Sequence, residues 1–129
     1  MNRWRDWREQ SYRDLRHAEN ARDDDDFEWS AFAAQQSAEK ALEGLIMEKG
    51  GEPWGHSVTG LAEALPAGIS APADILEAAR RLDKHYTRYP NGFAEGYPGK
   101  FYTRGEAEGA IADASQIIEF CRSHPPRSG

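Results

Sequence analysis

The sequence lacks the features that form disulfide cross-links or membrane spans. Its single cysteine, Cys121, permits no internal disulfide and fits a reducing compartment. No apolar run approaches the roughly 20 residues that a membrane-spanning helix needs. The first residues are charged and lack the apolar core of a signal peptide. We therefore expect a cytoplasmic protein without a membrane segment.

Motifs for common cofactors and metals are also absent. The chain has no glycine-rich phosphate loop, no cysteine pair for zinc and no His-Glu-x-x-His helix. The run of four aspartates at 23–26 lacks the glycine and the distal glutamate of a calcium-binding loop. The sequence therefore predicts neither a cofactor nor a metal ion.

Charge is unevenly distributed along a chain whose net charge is −6. Residues 23–79 contain twelve acidic side chains and only two basic ones, whereas residues 80–104 contain six basic and two acidic ones. The first 22 residues add six arginines against four acids. Cations concentrated in two segments of an acidic protein indicate either a local anion-binding surface or simply solvated helix faces.

Apolar periodicity predicts helices throughout and strands nowhere. The fold class that follows is all-α, an up-and-down bundle of four long or medium helices plus one short helix. Residues 1–124 form this single domain and residues 125–129 a disordered tail. A loop is predicted from Arg88 to Tyr102. The helices are expected from Asn2 to Ala21, from the aspartate run to Lys49, after the Ser57 cap, after Pro72, and after a Thr103-Arg-Gly-Glu106 capping box.

The second predicted helix combines a core pattern with a polar insert. It is apolar over most of its circumference, which is typical of a helix at the centre of a domain. Gln35, Gln36 and Glu39 interrupt that surface. Buried polar groups cost free energy unless they are hydrogen-bonded. We therefore expect Gln36 and Glu39 to have partners in the interior.

The fourth predicted helix carries the cations that best fit a ligand site. Arg81, His85 and Arg88 recur at i, i+4 and i+7, with Lys84 beside them. This spacing predicts a face that points away from the Ile75–Leu82–Tyr86 stripe, which we expect in the core. Guanidinium groups bind phosphate oxygens in pairs, and histidine transfers protons near neutral pH. The alternative is a solvated basic face.

Two further segments are candidate ligand contacts. Aromatic residues crowd around the basic segment, and Tyr89 lies within the sequence Arg88-Tyr89-Pro90. Such rings stack on nucleobases in some proteins and merely fix a loop in others. His56, which precedes the predicted Ser57 cap, has the same two interpretations: contact with a ligand or locking of the loop.

Several of these motifs together resemble the HEPN domain (higher eukaryotes and prokaryotes nucleotide-binding). The resemblance covers about Trp4 to Phe120, nearly the whole chain. Its motifs are Asp14-Leu15, the block Ala33-Ala34-Gln35-Gln36-Ser37-Ala38-Glu39-Lys40-Ala41-Leu42, Gly55-His56-Ser57, Leu82-Asp83-Lys84-His85-Tyr86, Arg88-Tyr89-Pro90, and Tyr102-Thr103 followed by Glu106-Ala107.

The resemblance implies a helical bundle that is commonly dimeric. Prokaryotic members are often encoded beside a minimal nucleotidyltransferase. Many members are metal-independent endoribonucleases with an Arg-x(4 to 6)-His motif paired across a dimer. Arg80 and His85 enclose four residues and match that spacing. In an unbroken helix they lie about 140° apart, so they would not converge within one subunit.

Three functional hypotheses follow. The first is a homodimer that binds a nucleotide or RNA phosphate and works with a nucleotidyltransferase partner. The second is an endoribonuclease toxin of a toxin–antitoxin pair, in which His85 is the acid/base and Arg80 stabilises the phosphorane-like transition state. The third is a helical interaction module without a ligand. The residues assigned to the ligand in the first hypothesis are Arg81, Lys84, Arg88, Tyr89, Gln36, Glu39 and His56.

Overall fold

The computed structural model describes residues 2–88 and 97–124, with the side chains of residues 87 and 88 excluded. Over these residues the chain forms six α-helices and no β-strand, and the prediction of an all-α bundle is confirmed. No helix in these ranges is both long and apolar enough to cross a membrane. The helices are α1 (Trp4–Asp23), α2 (Phe27–Glu48), α3 (Val58–Glu63), α4 (Ala73–Arg88), α5 (Pro98–Phe101) and α6 (Arg104–Arg122).

Helix α2 is the centre of the bundle, as its apolar circumference predicts. It contacts all five other helices, and 13 of its 22 residues are buried. The hydroxyl groups of its two serines donate hydrogen bonds to backbone carbonyls of α1. The Ser30 Oγ donates to the Ala18 carbonyl at 2.7 Å, and the Ser37 Oγ donates to the Ser11 carbonyl at 2.7 Å. Small side chains and satisfied hydroxyls let α1 and α2 pack closely along their length.

The end of α2 matches the predicted glycine stop. Gly50 has a φ of 88°, in the left-handed region that favours glycine. The N–H of Gly51 then reaches back to the Ile46 carbonyl at 2.9 Å, which satisfies one of the last carbonyls of the helix. The chain leaves α2 in a fixed direction toward the loop that carries His56.

Helix α3 is capped from two elements. The Ser57 Oγ accepts from the N–H of Gly60 at 3.0 Å, as the predicted cap requires. The Asp83 carboxylate on α4 accepts from the N–H groups of Val58 (2.7 Å) and Thr59 (3.0 Å), and also from the Ser57 hydroxyl (2.9 Å). A carboxylate at a helix N-terminus is stabilising, so Asp83 fastens α3 to α4.

Two features differ from the prediction. The loop expected from Arg88 to Tyr102 contains a short helix, α5, which begins with Pro98 at its first turn, where proline is favoured. Tyr86 was expected in the core and is 40% exposed. Its ring is stacked with that of His56, which lies in the loop before α3. The predicted tail at residues 125–129 lies outside the described residues.

Candidate functional site

The outward side of α4 exposes three cations, which we name the basic face: Arg80, Arg81 and Lys84. The buried side of the same helix contains Ile75, Ala79 and Leu82, each at most 3% exposed. Because successive residues turn by about 100°, the basic face lies on the side opposite this stripe. The predicted exposure of Arg81 and Lys84 is therefore present in the structure.

Arg81 is held in one orientation by α6. Its Nε donates to Asp113 Oδ2 at 3.0 Å and its Nη2 to Oδ1 at 2.9 Å, a bidentate pair. The hydrogen bonds and the charge of Asp113 raise the pKa of Arg81. The Arg81 side chain is 52% exposed, whereas that of Asp113 is 13% exposed. A guanidinium has five N–H donors, so its outer edge retains donors that face solvent.

His85 follows Arg81 one turn along α4, as the predicted i, i+4 spacing requires, but its side chain is not exposed like those of the basic face. It is half-buried, and its Nδ1 lies 3.1 Å from the hydroxyl of Tyr102, a residue that is 5% exposed. One turn from Arg81 the helix has rotated about 40°, which directs His85 toward the start of α6. The two rings are 5.6 Å apart between centroids.

The predicted catalytic pair, Arg80 and His85, is not brought together within one chain. Helix α4 runs without interruption from Ala73 to Arg88, so the 140° separation expected from the sequence applies. Their catalytic role stays a prediction. Arg88 ends α4 with a side chain outside the described part of the protein, and Tyr89 lies outside it altogether, so their ligand roles also stay predictions.

A second polar site is built on α2 around the insert. Gln35 is fully buried, and its Nε2 donates to Glu39 Oε1 and to the His56 carbonyl, both at 3.3 Å. Its Oε1 accepts from Gln36 Nε2 at 2.7 Å. The buried polar insert therefore has the partners that the sequence argument requires, and its central member is Gln35 rather than Gln36.

Glu39 and His56 form an oriented pair at the edge of this site. The Glu39 Oε2 lies 3.2 Å from His56 Nδ1; the Glu39 side chain is 7% exposed, whereas that of His56 is 68% exposed. The His56 ring is stacked with Tyr86 at 6.0 Å between centroids and an interplanar angle of 21°. His56 thus locks the loop through its carbonyl while its ring remains open to solvent.

Glu43 belongs to the same site and was not selected from the sequence. Burial, followed by the negative charge of Glu39, raises its pKa to about 7, against opposing contributions from His56, Lys40 and a hydrogen bond with Trp7. The cation of Lys40 is itself paired with Asp14 on α1. Glu43 follows Glu39 at i+4, so the two side chains lie on the same side of α2. This spacing is the signal in the sequence that could have identified Glu43 as part of the site.

Neither the internal cavity of the bundle nor its buried thiol forms a ligand site. A cavity of about 30 Å³ lies between α1, α2 and α6 and is lined in part by Cys121. This is enough for a water molecule but far too small for a nucleotide. Burial raises the pKa of the Cys121 thiol to about 12, so it is not a thiolate. Within residues 2–88 and 97–124 no group of three or more His, Cys, Asp or Glu side chains could hold a metal ion.

Comparison with known proteins gives a consistent result. Residues 4–124 match the model of the HEPN domain. The chain is similar to TT1696 from Thermus thermophilus (46% identity, 95% of this chain and 98% of that chain, TM-score 0.90). It is also similar to ST0689, an archaeal HEPN homologue (39% identity, 95% of this chain and 98% of that chain, TM-score 0.82). A third similar structure is that of a HEPN domain protein from Thermotoga maritima (30% identity, 91% of this chain and 94% of that chain, TM-score 0.75). Among curated proteins there is no match.

Proposed function

Because the chain belongs to the HEPN domain family, we propose that it binds a nucleotide or RNA through phosphate groups at the basic face of α4. The observation that carries this proposal is the Arg81–Asp113 pair, which holds a guanidinium with its outer edge directed to solvent. A donor group fixed before binding loses less conformational entropy when a phosphate arrives.

Arg80 and Lys84 add charge beside this guanidinium. Both are exposed, at positions i−1 and i+3 relative to Arg81 on α4. Glu77, also exposed on this helix, partly offsets them, because its negative charge contributes to the raised pKa of Arg81. The surface that a phosphate meets therefore has a modest positive charge. Its strongest contact is the oriented guanidinium of Arg81, and a charge-assisted hydrogen bond of this kind contributes about 1.5–3 kcal/mol.

The proposed partners extend this function. A homodimer and a minimal nucleotidyltransferase partner rest on the family resemblance. The endoribonuclease hypothesis makes a stricter demand, since Arg80 and His85 point about 140° apart on α4. A catalytic pair would need Arg80 from one copy and His85 from a second. The Nδ1 of His85 lies within hydrogen-bond distance of the Tyr102 hydroxyl. Catalysis would therefore also require that the other imidazole nitrogen of His85 be accessible to RNA.

We expect binding to depend on the basic face and on salt. The test measures the affinity of a short labelled RNA at several low salt concentrations, for the wild type and for the Arg80→Ala/Lys84→Ala variant. The variant should bind more weakly, and its log–log salt slope should be smaller by about 0.7 for each RNA phosphate that the variant no longer neutralises. Arg81 is left intact because its removal would leave Asp113 without its bidentate partner.

The matched control is Arg13→Ala/Arg16→Ala, which removes two exposed cations from α1. Equal loss of affinity in the control would overturn the assignment to α4, and absence of RNA binding at low salt would overturn the binding of RNA by this chain. Incubating the same proteins with bulk RNA decides the enzymatic hypothesis: cleavage that is abolished by His85→Ala supports an endoribonuclease, and intact RNA supports a binding protein.

A further inference from the structure

One side of α2 remains partly open between α1 and the loop that precedes α3. Gln36, Glu39 and Glu43 follow one another at i, i+3 and i+7, so their side chains share this side of the helix. Trp7 on α1 borders it through a hydrogen bond with Glu43, and His56 borders it from the loop. We name these residues the polar strip: Gln36, Glu39, Glu43 and His56.

The His56 ring is presented to solvent in a fixed orientation. Gly55 has a φ of 75°, a left-handed conformation that directs the next residue back over α2. The His56 carbonyl is held by Gln35, its Nδ1 faces Glu39, and Tyr86 supports the ring. These contacts, from α2 and α4, orient His56 although its side chain is 68% exposed.

The chemistry of the strip selects against phosphate and for a nucleobase. The carboxyl of Glu43, one turn from the buried carboxyl of Glu39, accepts hydrogen bonds from N–H donors and in its ionised form repels an anion. The exposed His56 ring, with Tyr86 stacked against it, supplies a surface on which a base can stack. A flat ligand with adjacent N–H donors satisfies both features. Guanine has such an edge in its ring N–H and exocyclic amine.

We propose that the polar strip is a nucleobase site, in which guanine stacks beside His56 and Tyr86 and donates its N–H groups to Glu43, with Gln36 as a neighbouring polar contact. This rests on the proposed function and extends it from phosphate to base. The pKa of about 7 at Glu43 fits this role, since N–H donors from a ligand would favour its ionised form.

The polar strip and the basic face lie on different sides of α4. Tyr86, which belongs to the strip side, and Lys84, on the basic face, are about 160° apart around the helix. A mononucleotide therefore reaches one site at a time. An RNA strand that curves around α4 could occupy both, with a base at one site and phosphates at the other.

The test records the ring C–H signals of histidine in nuclear magnetic resonance spectra during addition of guanosine, argininamide or inorganic phosphate. Guanosine should shift the His56 signal and leave that of His17, an exposed residue on α1, unchanged. Inorganic phosphate should not shift His56. A shift with argininamide but none with guanosine would overturn the proposal and identify a site for cationic side chains.

Variants separate this site from the basic face. Glu43→Gln keeps the shape of the side chain and should weaken guanosine binding roughly tenfold or more, as for one charge-assisted hydrogen bond. Glu9→Gln, on exposed α1 surface, is the matched control. Unchanged guanosine affinity in Glu43→Gln would overturn the nucleobase site. Loss of RNA binding in Arg80→Ala/Lys84→Ala with guanosine binding retained would show that the two sites are independent.

Discussion

At the residue scale, the guanidinium of Arg81 and the carboxyl of Glu43 show how neighbours change a side chain's chemistry. Asp113 accepts hydrogen bonds from one edge of Arg81, and the other edge faces solvent. Burial, followed by the negative charge of Glu39, raises the pKa of the Glu43 carboxyl and favours its protonated form. Neither effect follows from the residue type alone, and each links a packing contact to the proposed function.

The ionisation of Glu43 predicts a dependence of stability on pH. Its pKa is about 7 when folded and 4.5 in the reference state. Between these values the folded chain binds more protons than the unfolded chain, so the contribution of Glu43 to stability falls as pH rises. We expect Glu43→Gln to unfold at a higher urea concentration than the wild type above about pH 7, and with little difference near pH 4.

Urea titrations monitored by circular dichroism at several pH values test this expectation. Glu9→Gln serves as the comparison, since Glu9 is exposed on α1. A constant difference between Glu43→Gln and the wild type across the range would contradict the raised pKa.

At the element scale, helix ends and central packing were the most predictable parts of the fold. The Gly50-Gly51 stop and the Ser57 and Thr103 caps occur where the sequence places them, and Thr103 Oγ1 accepts from the Glu106 N–H at 3.2 Å. These features are local, because a cap or stop depends on a few neighbouring residues. The join between α3 and α4 was not predicted, since Asp83 lies 25 residues beyond the Val58 N–H that it binds.

Removal of the Asp83 carboxylate should loosen α3 selectively. Asp83→Ala takes the acceptor away from the N–H groups of Val58 and Thr59. We expect a loss of about 0.5–2 kcal/mol in unfolding free energy, the usual range for a helix cap, and faster hydrogen exchange at α3 than at α2 or α6. Glu63→Ala, an exposed substitution in α3, should have little effect. Uniformly faster exchange in all helices would argue against a local cap.

At the scale of the whole molecule, aromatic surface remains exposed outside the two sites. Trp54 is 82% exposed and Trp29 48% exposed. A small domain that leaves large aromatic side chains in solvent has apolar area available for association. Exposed apolar rings are consistent with the homodimer that the family resemblance implies. Trp29 lies on α2 and Trp54 lies in the loop that follows it.

We predict a homodimer at micromolar concentration, formed through helices rather than through residues 125–129. Light scattering should then give twice the chain mass of 14.5 kDa. Deletion of residues 125–129 should leave that mass unchanged. A mass near 14.5 kDa over the whole micromolar range would exclude the dimer.

The sequence by itself determined the helical class, the central position of α2 and the family, because apolar spacing, caps and short motifs are properties of neighbouring residues. It also located the cations of α4. Only the tertiary structure decided their environment. Arg81 pairs with Asp113, which lies 32 residues later in the chain, and His85 lies beside Tyr102, which lies 17 residues later. The Glu39–His56 pair and the near-neutral pKa of Glu43 likewise arise where distant segments meet. Spacing within one helix fixes the direction of a side chain, whereas its partner, burial and ionisation depend on which other helix lies opposite.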